Sequence, residues 1–168
     1  MHRLLLPVIL VLSVQLSMGE DTAGSRLRRQ LDSIPMNQKV RLSENQWRKI
    51  LSPAQFQVLR LAQTEPAYRN QYWNNHQKGI YLCAACGSQL FSSETKFDSR
   101  TGWPSFYAPL AMEKITTIID TTHGMVREEV RCARCGSHLG HLFNDSHTPT
   151  NDRYCINSAA LKLKTVSK

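Results

Sequence analysis

One short pattern occurs twice, as Cys83-Ala84-Ala85-Cys86-Gly87-Ser88 and Cys132-Ala133-Arg134-Cys135-Gly136-Ser137. It constrains the fold more than any other feature of the chain. A Cys-x-x-Cys turn can place two thiolates on one ion. The glycine behind the second cysteine lets the backbone take φ > 0 and aim its N–H groups at the sulfurs. Two such turns supply a tetrahedral sulfur site, which suits Zn²⁺. Four protein ligands close that site, and 45 residues lie between Cys86 and Cys132, so the ion would staple distant segments. Two disulfides are an alternative that gains weight in an oxidising compartment. A thioredoxin-like redox pair is a third reading, but no βαβ pattern surrounds either motif.

The composition around these turns is that of a globular protein. Of 168 residues, 41% are hydrophobic and 20% charged, which excludes a disordered, collagen-like or coiled-coil chain. The length suits one domain with a terminal extension. Met1-His2-Arg3 is followed by a largely aliphatic run from Leu4 to Leu16 and then by Ser17-Met18-Gly19. A basic start, an apolar stretch and a small-x-small end form a secretory signal peptide, expected over residues 1–19. A buried helix or an uncut membrane anchor is the alternative. The signal implies a secretory route or a bacterial periplasm. Residues 20–42 carry Arg26, Arg28, Arg29, Lys39 and Arg41 without an apolar period. They are expected to form a flexible basic tail ahead of a domain over 43–168.

Within that domain two helix starts are legible. Ser43 with Gln46, and Ser52-Pro53 with Gln55, each have the form of a capping box. Trp47, Ile50 and Leu51, then Phe56, Val58 and Leu59, supply apolar faces. From Tyr68 onward turn residues recur at short intervals. Ile80–Leu82, Lys114–Ile119, Met125–Arg131 and Tyr154–Leu163 read as strands, with a hairpin turn at Thr121-Thr122-His123-Gly124. The expected body is mainly antiparallel β, with helices on its N-terminal side.

Setting four cysteines on a metal isolates Cys155, in Arg153-Tyr154-Cys155-Ile156-Asn157-Ser158. A lone buried cysteine is most often a small apolar residue. In a strand, however, Arg153, Cys155 and Asn157 project to one face, and a cation beside a thiol raises its thiolate fraction. His138 and His141 could move protons near neutral pH or ligate a metal. Trp103, held between Gly102 and Pro104, could wall a small apolar pocket or simply fill the core.

Taken together, these motifs resemble the type B methionine sulfoxide reductases, which act on the R epimer. The resemblance runs from about Ser43 to Leu163. It rests on the four paired cysteines, Lys96-Phe97-Asp98-Ser99, Gly102-Trp103-Pro104-Ser105-Phe106, His138-Leu139-Gly140-His141 and the segment from Arg153 to Leu161. It implies a barrel-like body of antiparallel sheets with N-terminal helices, and a structural zinc on Cys83, Cys86, Cys132 and Cys135 lying away from the active site. It implies Cys155 as the nucleophile that attacks the sulfoxide sulfur and is left as a sulfenic acid. His138 and His141 match the two active-site histidines, one of them the acid. Trp103 matches the residue packing the substrate methyl group. Arg153, Asn157 and Asp145 match residues that orient the site or hold the thiolate. The implied substrate is an oxidised protein, with a small thiol or thioredoxin-like protein as external reductant. A monomer with no nucleic-acid partner is expected.

Departures from the family pattern are specific. Thr101 stands where many members carry a resolving cysteine, so the cycle is expected to need an external thiol. Gln63, Arg100 and Ser146 replace family glycines; where such a position needs φ > 0, a Cβ costs stability or reshapes the loop. Arg100 and His147 are expected near the mouth of the site. The rival reading is a zinc module without catalysis, secreted or bound to nucleic acid. It is weakened by scattered basic residues with no aromatic-basic face.

Overall fold

The computed structural model describes residues 22–166; the expected signal peptide lies outside the described residues. Helix α1 spans Ala23–Ser33, α2 Glu44–Ile50 and α3 Pro53–Leu61. Both expected capping boxes form. Ser43 Oγ accepts from Gln46 N while the Gln46 side chain accepts from Ser43 N, and Ser52 and Gln55 repeat the exchange. Trp47, Phe56, Val58 and Leu59 are buried beneath these helices.

Residues 20–42 are not an unstructured tail throughout, as α1 occupies their first half. Leu27, Leu31 and Ile34 form a narrow i, i+4, i+7 stripe, and Leu31 is 2% exposed. Gly24 lets α1 approach α2 closely, since a Cβ there would meet Lys49 O at 2.5 Å. Two of the basic residues are spent on contacts. Arg28 donates to the carbonyls of Ala85 and Ile50, and Lys39 to that of Ala133. Ala85 and Ala133 each lie inside a cysteine turn, so this segment is tied to both turns.

Nine strands follow among the described residues: β1 Gly79–Cys83, β2 Gln89–Ser92, β3 Lys96–Phe97, β4 Ser105–Phe106, β5 Ile115–Asp120, β6 Arg127–Cys132, β7 His138–Asn144, β8 Asp152–Ile156 and β9 Leu161–Thr165. They form two antiparallel sheets, ordered β2-β1-β9 and β3-β4-β8-β7-β6-β5. Both sheets are open; among the described residues no closed barrel forms. The expected 121–124 hairpin turn joins β5 to β6, with His123 at φ +56°. The segment 154–163, read as one strand, is two strands in different sheets. A 3-10 turn at Ser158–Ala160 carries the chain from one to the other.

An aromatic cluster packs both sheets together. Tyr81 of β1 and Phe91 of β2 meet Phe106 of β4 at ring centroids 5.1 and 4.5 Å away, and Phe91 meets Tyr154 of β8 at 5.8 Å. This packing fixes the facing of β8. With Tyr154 and Ile156 buried in the core, Arg153 and Cys155 must project to the opposite face.

Candidate active site and metal cluster

The site is a row of side chains across the larger sheet. Glu129 of β6 lies opposite His141 of β7, His141 opposite Cys155 of β8, and Cys155 opposite Ser105 of β4. Directly opposed residues share a face, so the thiol is flanked by an imidazole and a hydroxyl. His138 sits three residues before His141 and in a regular strand would face the other way. The β6–β7 register slips by one residue at Leu139, since Val130 pairs with Gly140 but Arg131 with His138. That bulge returns His138 to the same face, and the two rings meet edge-on at 5.4 Å.

A cavity of about 120 Å³ opens beside the thiol, lined by Cys155, His141, Trp103, Phe143, Asn157 and Thr64 among others. Its walls are fixed from behind. Trp103 Nε1 donates to Glu65 O at 3.0 Å. The turn before it requires a glycine, as Gly102 has φ +88° and a Cβ would meet Tyr68 N at 2.8 Å. Asn157 Nδ2 donates to Leu139 O while its Oδ1 accepts from Glu65 N. The Glu65 carboxylate in turn accepts from Ser158 N and Ala159 N. Burial pushes the Glu65 carboxyl up against the pull of these bonds.

Of the residues expected at the site, Cys155, His141, Trp103 and Asn157 line this cavity together. His138, Arg153 and Asp145 stand behind them. Arg153 Nε donates to Asp145 Oδ2 at 3.1 Å, and its guanidinium lies 4.7 Å from the centre of the Phe143 ring. His138 Nδ1 is 2.7 Å from Glu129 Oε1 and its Nε2 is buried without a protein partner. Burial outweighs the Glu129 contact and holds His138 below the usual imidazole range, so it rests neutral with Nδ1–H donating. Burial works against the Glu129 carboxylate too, but Arg131 and His138 together keep it below the usual range. His141 Nε2 meets Asp120 Oδ2 at 2.8 Å. Asp120 also binds Arg127 at 2.7 Å, and the Thr122 side chain and N–H, with His141, hold its carboxyl low. Arg100 and His147 do not line the cavity; His147 is exposed and bonded to Asp145.

Arg153 does not by itself make Cys155 acidic. Burial pushes the thiol up by more than Thr101, Arg153 and Ser105 pull it down. Alkylation of Cys155 by iodoacetamide, followed by mass spectrometry of its peptide, is therefore expected to keep accelerating as pH rises past the ordinary thiol range. A rate already level at about pH 8 would contradict this account.

Several site residues were not singled out by sequence: Glu65, Thr64, Asp120, Arg127, Glu129 and Phe143. The Asp120–Arg127 pair was readable in principle, since the two close the β5–β6 hairpin directly opposite each other. The others depend on cross-strand register or loop packing. Of the three replaced glycines only Arg100 takes the left-handed conformation, at φ +56°, so the strain falls there and not at Gln63 or Ser146.

The paired cysteines converge. Sγ atoms of Cys83, Cys86, Cys132 and Cys135 all lie within 4.8 Å of one another, buried, with Cys83–Cys135 at 3.8 Å and Cys86–Cys132 at 3.6 Å. Bonds of about 2.3 Å to a tetrahedral ion put sulfurs about 3.8 Å apart, whereas a disulfide needs about 2.05 Å. The cluster therefore fits a four-thiolate metal ion. Four buried thiols cannot all ionise without such a counter-charge.

A half-buried thiol faced by an imidazole, opening on a small cavity walled by indole and phenyl rings, defines a thiol-dependent enzyme. A family model described as the SelR domain matches residues 51–165. "Peptide methionine sulfoxide reductase MsrB" of Synechococcus sp. (strain RCC307) is 55% identical over 125 residues, covering 74% of this chain and 92% of its own length. Its namesake from Thiobacillus denitrificans is 56% identical over 121 residues (72% and 92%), and that of Acinetobacter baumannii 50% over 130 residues (77% and 94%). The chain belongs to the SelR-domain family, the type B methionine sulfoxide reductases.

Proposed function

We propose that this chain reduces the R epimer of methionine sulfoxide in polypeptides, with Cys155 as nucleophile. The observation that carries the reading is the opposition of Cys155 and His141 at the wall of a cavity closed by Trp103 and Asn157. The sulfoxide sulfur lies against the Cys155 sulfur, with its methyl group on the Trp103 face. In the other epimer, methyl and oxygen exchange places and a polar oxygen is pressed on the indole, unbonded and desolvated.

Oxygen leaves the sulfoxide only as it gains a proton. His141 shares the cavity with Cys155 and is the donor; His138, turned to Glu129, supports it from behind. Asp120 fixes the His141 ring, and Asp145 with Phe143 fixes Arg153 beside the thiol. In balance, the Cys155 thiol and the sulfoxide become a sulfenic acid and a thioether. The substrate sulfur gains two electrons and the cysteine sulfur loses them. Two external thiols, or a thioredoxin-like dithiol, then return Cys155 to the thiol with release of water and a disulfide.

Zn²⁺ is the ion assigned to the four-cysteine cluster, where four thiolates leave no open position and the metal's part is to hold the two turns together. We also assign residues 1–19 as a secretory signal, which places the enzyme in a secretory pathway or periplasm, acting as a monomer on oxidised proteins.

The test uses the full chain, a peptide bearing both sulfoxide epimers and a small dithiol. Chiral chromatography is expected to show the R epimer consumed and the S epimer untouched. Loss of both epimers at equal rate removes the role given to Trp103. Loss of neither, in folded metal-loaded protein, removes the activity.

A further inference from the structure

Ten large apolar side chains are exposed among the described residues, and three of them, Leu61, Ile118 and Ile119, gather in one place. Leu61, Ile118 and Ile119 line a depression of about 840 Å³. One wall is the end of α3 with residues 62–64, and the other is β5 with its turn. Its floor is Arg127, Glu129 and Arg131 of β6 with His138 and His141 of β7. The floor is charge-compensated, since Arg127 pairs with Asp120 and Arg131 with Glu129. The depression adjoins the cavity at Cys155, and Thr64, Arg127 and His141 line both.

Strand β5 is the end strand of its sheet, and its residues Thr116, Thr117, Ile118 and Ile119 are all exposed. Exposed edge strands are ordinarily guarded by charges or proline, and none stands in this stretch. A bare apolar edge beside an active site marks a contact surface. The smaller cavity accommodates one side chain; the residues before and after an oxidised methionine have to lie outside it.

We propose that this depression holds the polypeptide flanking the oxidised methionine, as an extended segment with apolar side chains against Leu61, Ile118 and Ile119. The proposal rests on the activity proposed above and adds a substrate preference: sulfoxides set among apolar residues. Charged flanks gain less there, because Arg127 and Arg131 of the floor already sit against Asp120 and Glu129.

The experiment compares three substrates with the full chain: a peptide whose sulfoxide is flanked by leucines, the same peptide with aspartates, and N-acetylmethionine sulfoxide amide. The leucine peptide is expected to have kcat/KM about tenfold or more above the aspartate peptide, through KM. Ile119→Asp and Leu61→Asp, both at exposed positions, are expected to erase that preference while leaving the small substrate unchanged. Equal losses on all three substrates, or an undiminished preference in both variants, overturn the proposal. So does a wild-type dimer, by sedimentation, that Ile119→Asp dissociates with peptide kinetics unaltered; the surface then belongs to a second copy. An active wild type with no flank preference sinks this inference alone, whereas inactivity on every sulfoxide sinks the reading beneath it as well.

Discussion

Metal removal is expected to unfold the protein. The cluster joins the two cysteine turns through four buried sulfurs, which repel one another once ionised and need a cation between them. More than the turns depend on it. The Arg134 guanidinium, 6% exposed, donates to the carbonyls of Cys86, Ile34 and Gln38, and Val40 N donates to Arg134 O. Arg28 and Lys39 reach the same turns from the N-terminal segment. These donors are aimed at carbonyls whose positions the turns define, so freeing the turns frees α1 as well. Binding of a structural zinc contributes about 10–16 kcal/mol at neutral pH, as large as the whole stability of an ordinary domain, about 5–15 kcal/mol. A strong chelator, or Cys132→Ser, is therefore expected to abolish the cooperative thermal transition seen by circular dichroism, and returning Zn²⁺ to the chelated protein to restore it. A metal-free protein melting within about 5 °C of the loaded one would reduce the cluster to a local ornament.

What could be read in the sequence was local or chemically unusual. Ser43 with Gln46 and Ser52 with Gln55 announce helix starts because both partners lie within one turn. The four cysteines announce their cluster because few structures need that residue at that spacing. Helix α1 escaped because its apolar stripe is only Leu27, Leu31 and Ile34, and its basic residues look like those of a solvated tail until the distant carbonyls are in view. Strands β3 and β4 are two residues long, too short for any alternation to register. The partnership of His138 and His141 depends on the bulge at Leu139, and that of Glu129 and Asp120 with them depends on β6 register. Neither has a one-dimensional signal. The acidity of Cys155 illustrates the same limit. Its neighbour Arg153 was legible, but the burial that outweighs it was not.

The stoichiometry of the reaction is the sharpest consequence of the cysteine count. Among five cysteines, four are held in the cluster, and Thr101, just before the Gly102–Trp103 turn, has its Oγ1 3.9 Å from Cys155 Sγ. A hydroxyl there can hydrogen-bond a thiolate or a sulfenic acid but cannot displace oxygen from sulfur, because no disulfide can form to it. With no external thiol, the full chain given excess R-sulfoxide peptide is expected to make one equivalent of thioether and stop, with Cys155 carrying one added oxygen by mass spectrometry. Cys155→Ser is expected to lower the single-turnover rate by on the order of 10⁴-fold or more, the scale on which losing a nucleophile is felt. Thr101→Cys separates resolution from attack. It leaves the first equivalent intact, but the new thiol attacks the sulfenic acid, releases water and closes a disulfide with Cys155. The oxidised variant then shows two thiols fewer and no added oxygen, and a dithiol protein reduces it through disulfide exchange. Wild-type protein that exceeds one equivalent without a thiol would locate the second electron pair elsewhere in the chain, and the cluster cysteines would be the first place to look.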